Sequence, residues 1–349
     1  MNTNIYIYMK KLIIMTYMLA VAAVAVKAQD TIKTTGDAPL VISGSVDAYY
    51  KYDFSGHRNI PTSFASDQNS FSIGMVDLAL KKTVGKASFV GEVSFGPRSD
   101  QSLPAAGANY HIQNLYVSYN VTDKFSLAGG YMATFIGYEV ISPAANFNYS
   151  TSYLFTYGPF QNAGVKATYV FSEKVSLMAG VFNDQWNVYQ STHNIDAFGA
   201  QLTISPVKGW TAYLNILTAN NSTPTSGTVL DLTTAYQITG VFKLGLNAAD
   251  YSASNGAGKG GYSGVALYPQ LAVSKAVAFG LRGEYFKVKN SGPKVAAFTL
   301  TSNIKAGPLT LMPELRLDNN NDKLLGFTKN DGTLSSTAAQ FVLAAVYAF

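Results

Sequence analysis

The fold class that this sequence predicts is all-β: an antiparallel transmembrane β-barrel of about 16 strands, with short periplasmic turns and long external loops. Three observations predict it. Only 13% of the residues are charged, against about 25% in an ordinary soluble domain, while Tyr and Phe together number 43. No segment after residue 28 is apolar for the roughly 20 residues that a membrane helix needs. The hydrophobic pattern instead alternates with period two, which lets a closed barrel show an apolar face to lipid without any apolar run.

The chain opens on Lys10-Lys11, an apolar stretch from Leu12 to Val26, and Val26-Lys27-Ala28. A positive region, a short hydrophobic region and small residues at the end make residues 1–28 a secretory signal peptide. Cleavage after Ala28 removes three lysines from the 25 basic residues, leaving 22 against 20 acidic, a net charge of +2. The alkaline character is therefore partly a property of the leader. No basic run remains to neutralise a row of phosphates, so no nucleic-acid partner is expected. The absence of cysteine excludes disulfides, thiolate metal sites and cysteine nucleophiles.

Residues 29–40 form a short N-terminal segment, with no room for a plug domain of the kind that TonB-dependent transporters carry. The barrel is expected over 41–349. In its first strand Ile42, Gly44, Val46, Ala48, Tyr50, Tyr52 and Phe54 interleave with Ser43, Ser45, Asp47, Tyr49, Lys51 and Asp53. One face is apolar and the other carries charge. The same reading places strands near 41–54, 70–82, 87–96, 110–121, 125–137, 161–171, 175–185 and 196–205. It continues with 210–219, 229–238, 241–251, 262–273, 277–288, 295–305, 309–318 and 338–349, an even total, as single-chain bacterial barrels require. The phase slips near Met75, where Phe71 and Ile73 give way to Val76, Leu78 and Leu80. A β-bulge or a displaced strand end accounts for such a slip.

Connections alternate in length. Thr239-Gly240, Ser274-Lys275-Ala276 and Ala306-Gly307-Pro308 are short, whereas 55–69, 97–109, 138–160 and 319–337 are long. The final strand carries Phe341, Leu343, Ala345, Tyr347 and Phe349 in one phase. An apolar last strand closing on Phe349 resembles the signal read by the outer-membrane barrel assembly machinery, an expected partner alongside outer-membrane lipid.

Several segments resemble the OmpL-like β-barrel porins. They are Val46-Asp47-Ala48-Tyr49-Tyr50, Val117-Ser118-Tyr119-Asn120-Val121, Gly180-Val181-Phe182-Asn183-Asp184-Gln185-Trp186 and, in the longest internal loop, Asn148-Tyr149-Ser150-Thr151-Ser152-Tyr153. The resemblance implies an outer-membrane, pore-forming protein and transfers no functional residue.

No chemistry beyond a pore is indicated. His57, His111 and His193 lie in or beside external loops without metal-ligand spacing. Gly256-Ala257-Gly258-Lys259-Gly260-Gly261 lacks the Ser or Thr and the following helix of a phosphate-binding loop. His111 and Ser118 fall on opposite faces of one strand, about 23 Å apart along extended chain. Neither catalytic residues nor metal or other cofactors are expected.

What stands out is charge on the inward phase: Asp47, Lys51, Asp77, Lys81, Glu92, Lys166, Asp231, Lys243, Arg282, Glu284, Glu314 and Arg316. A basic residue facing lipid at mid-bilayer costs about 2–4 kcal/mol, so these side chains are expected to face the lumen. Asp47, Lys51, Glu92, Lys166, Arg282, Glu284, Glu314 and Arg316 are the expected pore-lining set. Arg282-Gly283-Glu284 and Glu314-Leu315-Arg316 place opposite charges two residues apart on one face, which sets a transverse field for small polar solutes. Internal salt-bridge ladders read the same way in sequence.

The function expected is passive diffusion of small hydrophilic solutes or ions through a water-filled lumen, with 138–160 folding inward to narrow it. The alternative is a non-channel barrel that binds surfaces through its long loops. The mature protein is expected to begin at Gln29 and to fractionate with the outer membrane. N-terminal sequencing of that fraction checks this, and recovery as a soluble periplasmic protein contradicts it.

Overall fold

The computed structural model describes residues 38–103, 111–184, 186–187, 189–191, 194–219, 226–254 and 260–349. Residues 1–28, most of 29–40, His193 and Gly256 to Lys259 lie outside the described residues.

Period-two alternation sets the fold. Along β13 (Val277–Val288) buried Gly280, Arg282, Glu284 and Phe286 alternate with exposed Phe279, Leu281 and Tyr285. Sixteen such strands pair antiparallel with their sequence neighbours, and β1 (Val41–Asp53) closes on β16 (Thr337–Ala348) from Ser45↔Ala348 to Asp53↔Gln340. Closure leaves no open sheet edge, the condition for a β-structure to sit in hydrocarbon. The outward face is apolar accordingly: Phe71 is 90% and Ile73 65% exposed, an arrangement that water would not tolerate over a whole wall and that lipid favours. Aromatic residues gather at both ends of the apolar band, with Tyr119, Tyr169, Trp210 and Tyr236 towards the turns and Tyr52, Phe71, Phe198 and Tyr285 towards the loops.

The remaining strands are β2 (Ser70–Val84), β3 (Ala87–Phe95), β4 (Ile112–Asn120), β5 (Phe125–Ala133), β6 (Gln161–Ser172), β7 (Val175–Phe182), β8 (Ala197–Ile204) and β9 (Trp210–Ala219). They continue as β10 (Gly227–Gln237), β11 (Phe242–Ala253), β12 (Gly261–Ala272), β14 (Lys294–Ala306) and β15 (Leu309–Asn319). Every expected strand is present. Two end early. β5 stops at Ala133 rather than 137 because the chain turns into the barrel, where Ile136 is buried and Gly137 takes φ 90°. β7 stops at Phe182, where the chain leaves the wall for the β7–β8 loop.

The phase slip near Met75 is a β-bulge. Val46 pairs with Val76 but Ala48 pairs with Ile73, so Gly74 and Met75 together oppose one residue and both are buried. The unpaired Met75 amide donates to Asp47 Oδ1 at 2.9 Å. A Cβ on Gly74 would stand 1.8 Å from Asp47 Oδ2, so the carboxylate that satisfies the bulge also requires glycine beside it.

Two short helices interrupt the loops: α1 (Pro97–Ser102) after β3, and α2 (Tyr153–Tyr157) inside the β5–β6 connection. The β1–β2 and β15–β16 loops meet at the seam. There Ile60, Phe327 and Ala338 form a small core, and Asn59 exchanges hydrogen bonds with the Thr328 backbone at 2.8 and 2.9 Å.

Gly74→Ala is expected to destabilise the barrel by about 1–3 kcal/mol, read as a lower urea midpoint for loss of the heat-modifiable gel band. Gly240→Ala, where nothing lies within 4 Å of the added Cβ, is expected to leave the midpoint unchanged. Equal midpoints for both variants would contradict this account of the bulge.

Candidate functional site

Residues 134–160, the β5–β6 connection, are rich in Ser, Thr and aromatic side chains and contain a single charged residue, Glu139. This inner loop folds into the barrel and packs against the wall. A loop without regular structure brings unpaired backbone N–H and C=O groups with it, and each costs about 1–3 kcal/mol if buried without a partner. The wall supplies the partners.

Strand register arranges the wall charges in rows. Arg282 pairs with Thr299, which pairs with Arg316, so the two guanidiniums stand level across β14. On the loop side of that row lie Glu284 and Asp318, joined through Ala297, and on the turn side lies Glu314, opposite Thr301. Two like charges level with each other are tolerable because carboxylates flank them on both sides.

The backbone of Tyr149 to Leu154 matches this pattern group by group. The amides of Tyr149 and Ser150 donate to the two oxygens of Glu314 at 2.9 and 3.1 Å. Arg282 Nη1 donates to the Ser150 carbonyl at 2.6 Å and to Glu139 Oε1 at 2.7 Å. Arg316 Nη1 donates to the Thr151 carbonyl at 2.8 Å, while its Nε and Nη2 grip Asp318 at 2.8 and 3.0 Å. The amides of Tyr153 and Leu154 donate to Glu284 at 2.9 and 2.8 Å. Acids therefore meet loop N–H groups and arginines meet loop carbonyls.

These last two amides open α2, and the Ser152 hydroxyl caps the third, Phe155, at 3.0 Å. Glu139 accepts from both the amide and the hydroxyl of Ser152 at 2.8 and 2.9 Å, which locks the loop onto itself. Two further anchors lie outside this segment. Asp231 accepts from the Gly137 amide at 3.1 Å, and Arg98 in α1 donates to the carbonyls of Ile141 and Tyr149 at 3.0 and 3.2 Å.

Shape completes the fit. Inward glycines leave hollows that loop side chains fill, Phe147 against Gly280 and Tyr138 against Gly245; an added Cβ would come within 2.3 Å of the Phe147 ring and of the Tyr138 hydroxyl. Tyr138 also stacks on Tyr268 with centroids 4.4 Å apart.

Of the eight expected pore-lining residues, all face inward, but they divide into two groups. Arg282, Glu284, Glu314 and Arg316 are at most 3% exposed and are covered by the inner loop. Asp47 accepts from the Tyr149 hydroxyl, and Lys51 is buried on the same strand. Glu92 and Lys166, on β3 and β6, are only partly buried, and Glu92 accepts from Asn114 at 2.5 Å. The structure brings Asp47, Arg282, Glu284, Glu314 and Arg316 together on one loop; Glu92 and Lys166 belong to the opposite wall.

Sequence reasoning missed Glu139, Arg98 and Asp318. Asp318 continues the two-residue spacing of Glu314 and Arg316 and was open to the same argument. Glu139 and Arg98 lie in connections, where no periodicity marks an inward side chain.

Two cavities flank the loop. One of about 430 Å³ opens at the turn end between the loop and the wall from β10 to β16. The other, about 230 Å³, lies towards β3 to β6 and is lined by Glu92, Asn114 and Gln161. Glu139 lines both.

A family model described as "Putative beta-barrel porin-2, OmpL-like" matches residues 39–349. The chain belongs to this family. It is an outer-membrane porin. No curated protein matches it by sequence. Among solved structures, the fold is similar to OmpT of Vibrio cholerae in its trimer form, with 14% identity, a TM-score of 0.58 and coverage of 89% of this chain and 99% of that one. It is similar too to the anion-selective porin from Comamonas acidovorans, with 13% identity, a TM-score of 0.60 and coverage of 90% and 100%. A mutant porin of Rh. blastica aligns at 14% identity and a TM-score of 0.54 over 89% and 100%. At these identities the likeness is one of fold.

Gly280→Leu is expected to unseat Phe147 and widen the porin lumen, raising single-channel conductance and its noise. Gly283→Leu, which points outward with its nearest neighbour 3.8 Å away, is expected to conduct as the parent does. Unchanged conductance in the folded Gly280 variant would show that the loop does not limit the channel.

Proposed function

We propose that small hydrophilic solutes diffuse through this porin between the inner loop and the wall from β3 to β9, and that the charges under the loop are its clamp. One observation carries this reading. Inward residues of β13 to β16 and β1 are buried beneath the loop, whereas at mid-height of the opposite wall Glu92, Tyr116, Lys166 and Gln201 stay partly open, with Gln113, Phe182, Ala197 and Leu217 covered on their loop side. Glu92 and Lys166 are then the members of the expected set that passing solutes meet. Asp47, Arg282, Glu284, Glu314 and Arg316 act indirectly, by fixing the loop that sets the width, while Lys51 lies buried on β1.

The remaining expectations fit this role. Residues 1–28 direct export, the turns face the periplasm, and the strand that ends at Phe349 is the part handed to the assembly machinery. Phe349 exchanges two backbone hydrogen bonds with Gly44, both 3.1 Å, so the terminal residue extends the closing seam. Nothing in the porin family calls for catalysis, and the barrel works as a channel without enzymatic activity.

Planar-bilayer recording tests the reading. The purified protein is expected to give stable, stepwise conductance, and silence at high protein load would favour the surface-binding alternative. Glu284→Gln with Glu314→Gln leaves one acceptor oxygen where two loop amides were bound, a loss of about 1–3 kcal/mol at each site. That double variant is expected to flicker between the parent conductance and a larger one. A steady parent trace from folded protein would contradict the clamp.

A further inference from the structure

The turn-side cavity carries a property that a neutral diffusion pore does not need. Five of the seven short turns contain a lysine: Lys86, Lys124, Lys174, Lys208 and Lys275, against only Asp123 and Glu173. The two turns without one join β10 to β11 and β14 to β15. Just inside them stand Lys243 and Lys305, both on the inward phase and both lining the cavity of about 430 Å³. The loop side mixes its signs instead, with Lys289 paired to Asp250 at 2.7 Å and Asp322 and Asp331 beside Lys323 and Lys329. Positive charge is thus concentrated at one mouth.

Inside that mouth the lining is polar. Gln270 and Asn303 of the wall and Asn146 of the loop line it beside the lysines. The one acid present, Glu139, is neutralised by Arg282 at 2.7 Å and hydrogen-bonded by Ser152. No ion pair holds Lys243 or Lys305 among the described residues. Asn303 is 91% buried, gives its amide to the Phe147 carbonyl at 3.2 Å, and leaves Oδ1 with no hydrogen-bond partner. Two uncommitted ammonium groups above an uncharged polar lining suit a small oxyanion such as phosphate or a carboxylate.

We propose that this vestibule is a binding site for small oxyanions and that, through Lys243 and Lys305, it gives the porin a preference for anions. The proposal rests on the channel reading above and adds the class of solute. The lysines gather anions by their field and hold them at the level of the inner loop, from which they enter the narrow part of the lumen.

Two measurements on the full mature barrel test it, with the heat-modifiable gel shift confirming that each variant is folded. In a potassium chloride gradient, the reversal potential of the parent is expected to give a chloride-to-potassium permeability ratio above one. Lys243→Gln with Lys305→Gln is expected to lower that ratio by about threefold or more, whereas Lys124→Gln with Lys174→Gln lowers it less. Inorganic phosphate is expected to reduce chloride current more strongly from one side of the bilayer than from the other, and the Lys243/Lys305 double variant should lose that asymmetry. Cation preference in the parent, or an unchanged ratio in the folded double variant, would overturn the proposal. Calorimetric titration of inorganic phosphate into the detergent-purified barrel is independent of conduction. Heat released by the parent and absent from the double variant supports the vestibule even if bilayers are silent, a silence that counts against the channel reading instead. No difference in phosphate binding between parent and double variant refutes it.

Discussion

An irregular loop can enter a membrane barrel only if its backbone finds partners there, and that constraint organises this molecule. Where the loop is pressed against the wall, water is excluded and the strands already use their own amides. Glu284 and Glu314 each take two consecutive loop amides, and Arg282 and Arg316 each take a loop carbonyl. Charge-assisted hydrogen bonds of this kind are about twice as strong as neutral ones. The desolvation cost of four buried ions is offset because every one of them is hydrogen-bonded as well as flanked by opposite charge.

Small residues do the complementary work. Gly245 and Gly280 turn the wall into a mould for Tyr138 and Phe147, and Gly74 clears space for the Asp47 carboxylate. Asp47 serves two structures at once, since it satisfies the bulge amide of Met75 and accepts from the Tyr149 hydroxyl. The irregularity of β2 and the position of the inner loop are thereby coupled through one side chain. Aromatic contacts add to that coupling: Tyr49 packs on Tyr149 at 5.6 Å, and Arg98 lies over the rings of Phe64 and Tyr149.

Once the loop is clamped, the charges under it are no longer met directly by solutes, although their field remains. In the path proposed here, solutes meet the residues that the clamp leaves over: Glu92 and Lys166 on one wall, and Lys243 and Lys305 at the turn-side mouth. On that proposal the channel's width and its charge preference are properties of different residues. The first belongs to a buried network, and the second to a few accessible side chains.

The sequence by itself determined the barrel. Period-two alternation fixes which residues face lipid, and a slip of one residue would turn every charge outward, so strand positions and inward phase were legible from Ile42 to Phe349. The slip at Met75 was legible for the same reason, as a bulge or a displaced strand end, and the register of β1 with β2 decides for the bulge. Tertiary structure decided the meaning of the inward charges. Arg282-Gly283-Glu284 and Glu314-Leu315-Arg316 read as a transverse field, yet register across β14 sets the arginines level, and a loop more than a hundred residues earlier in the chain covers them. Pairing between distant segments has no period and leaves no local mark, so Glu139 and Arg98, which hold that loop, could be found only where the folded chain brings them against the wall.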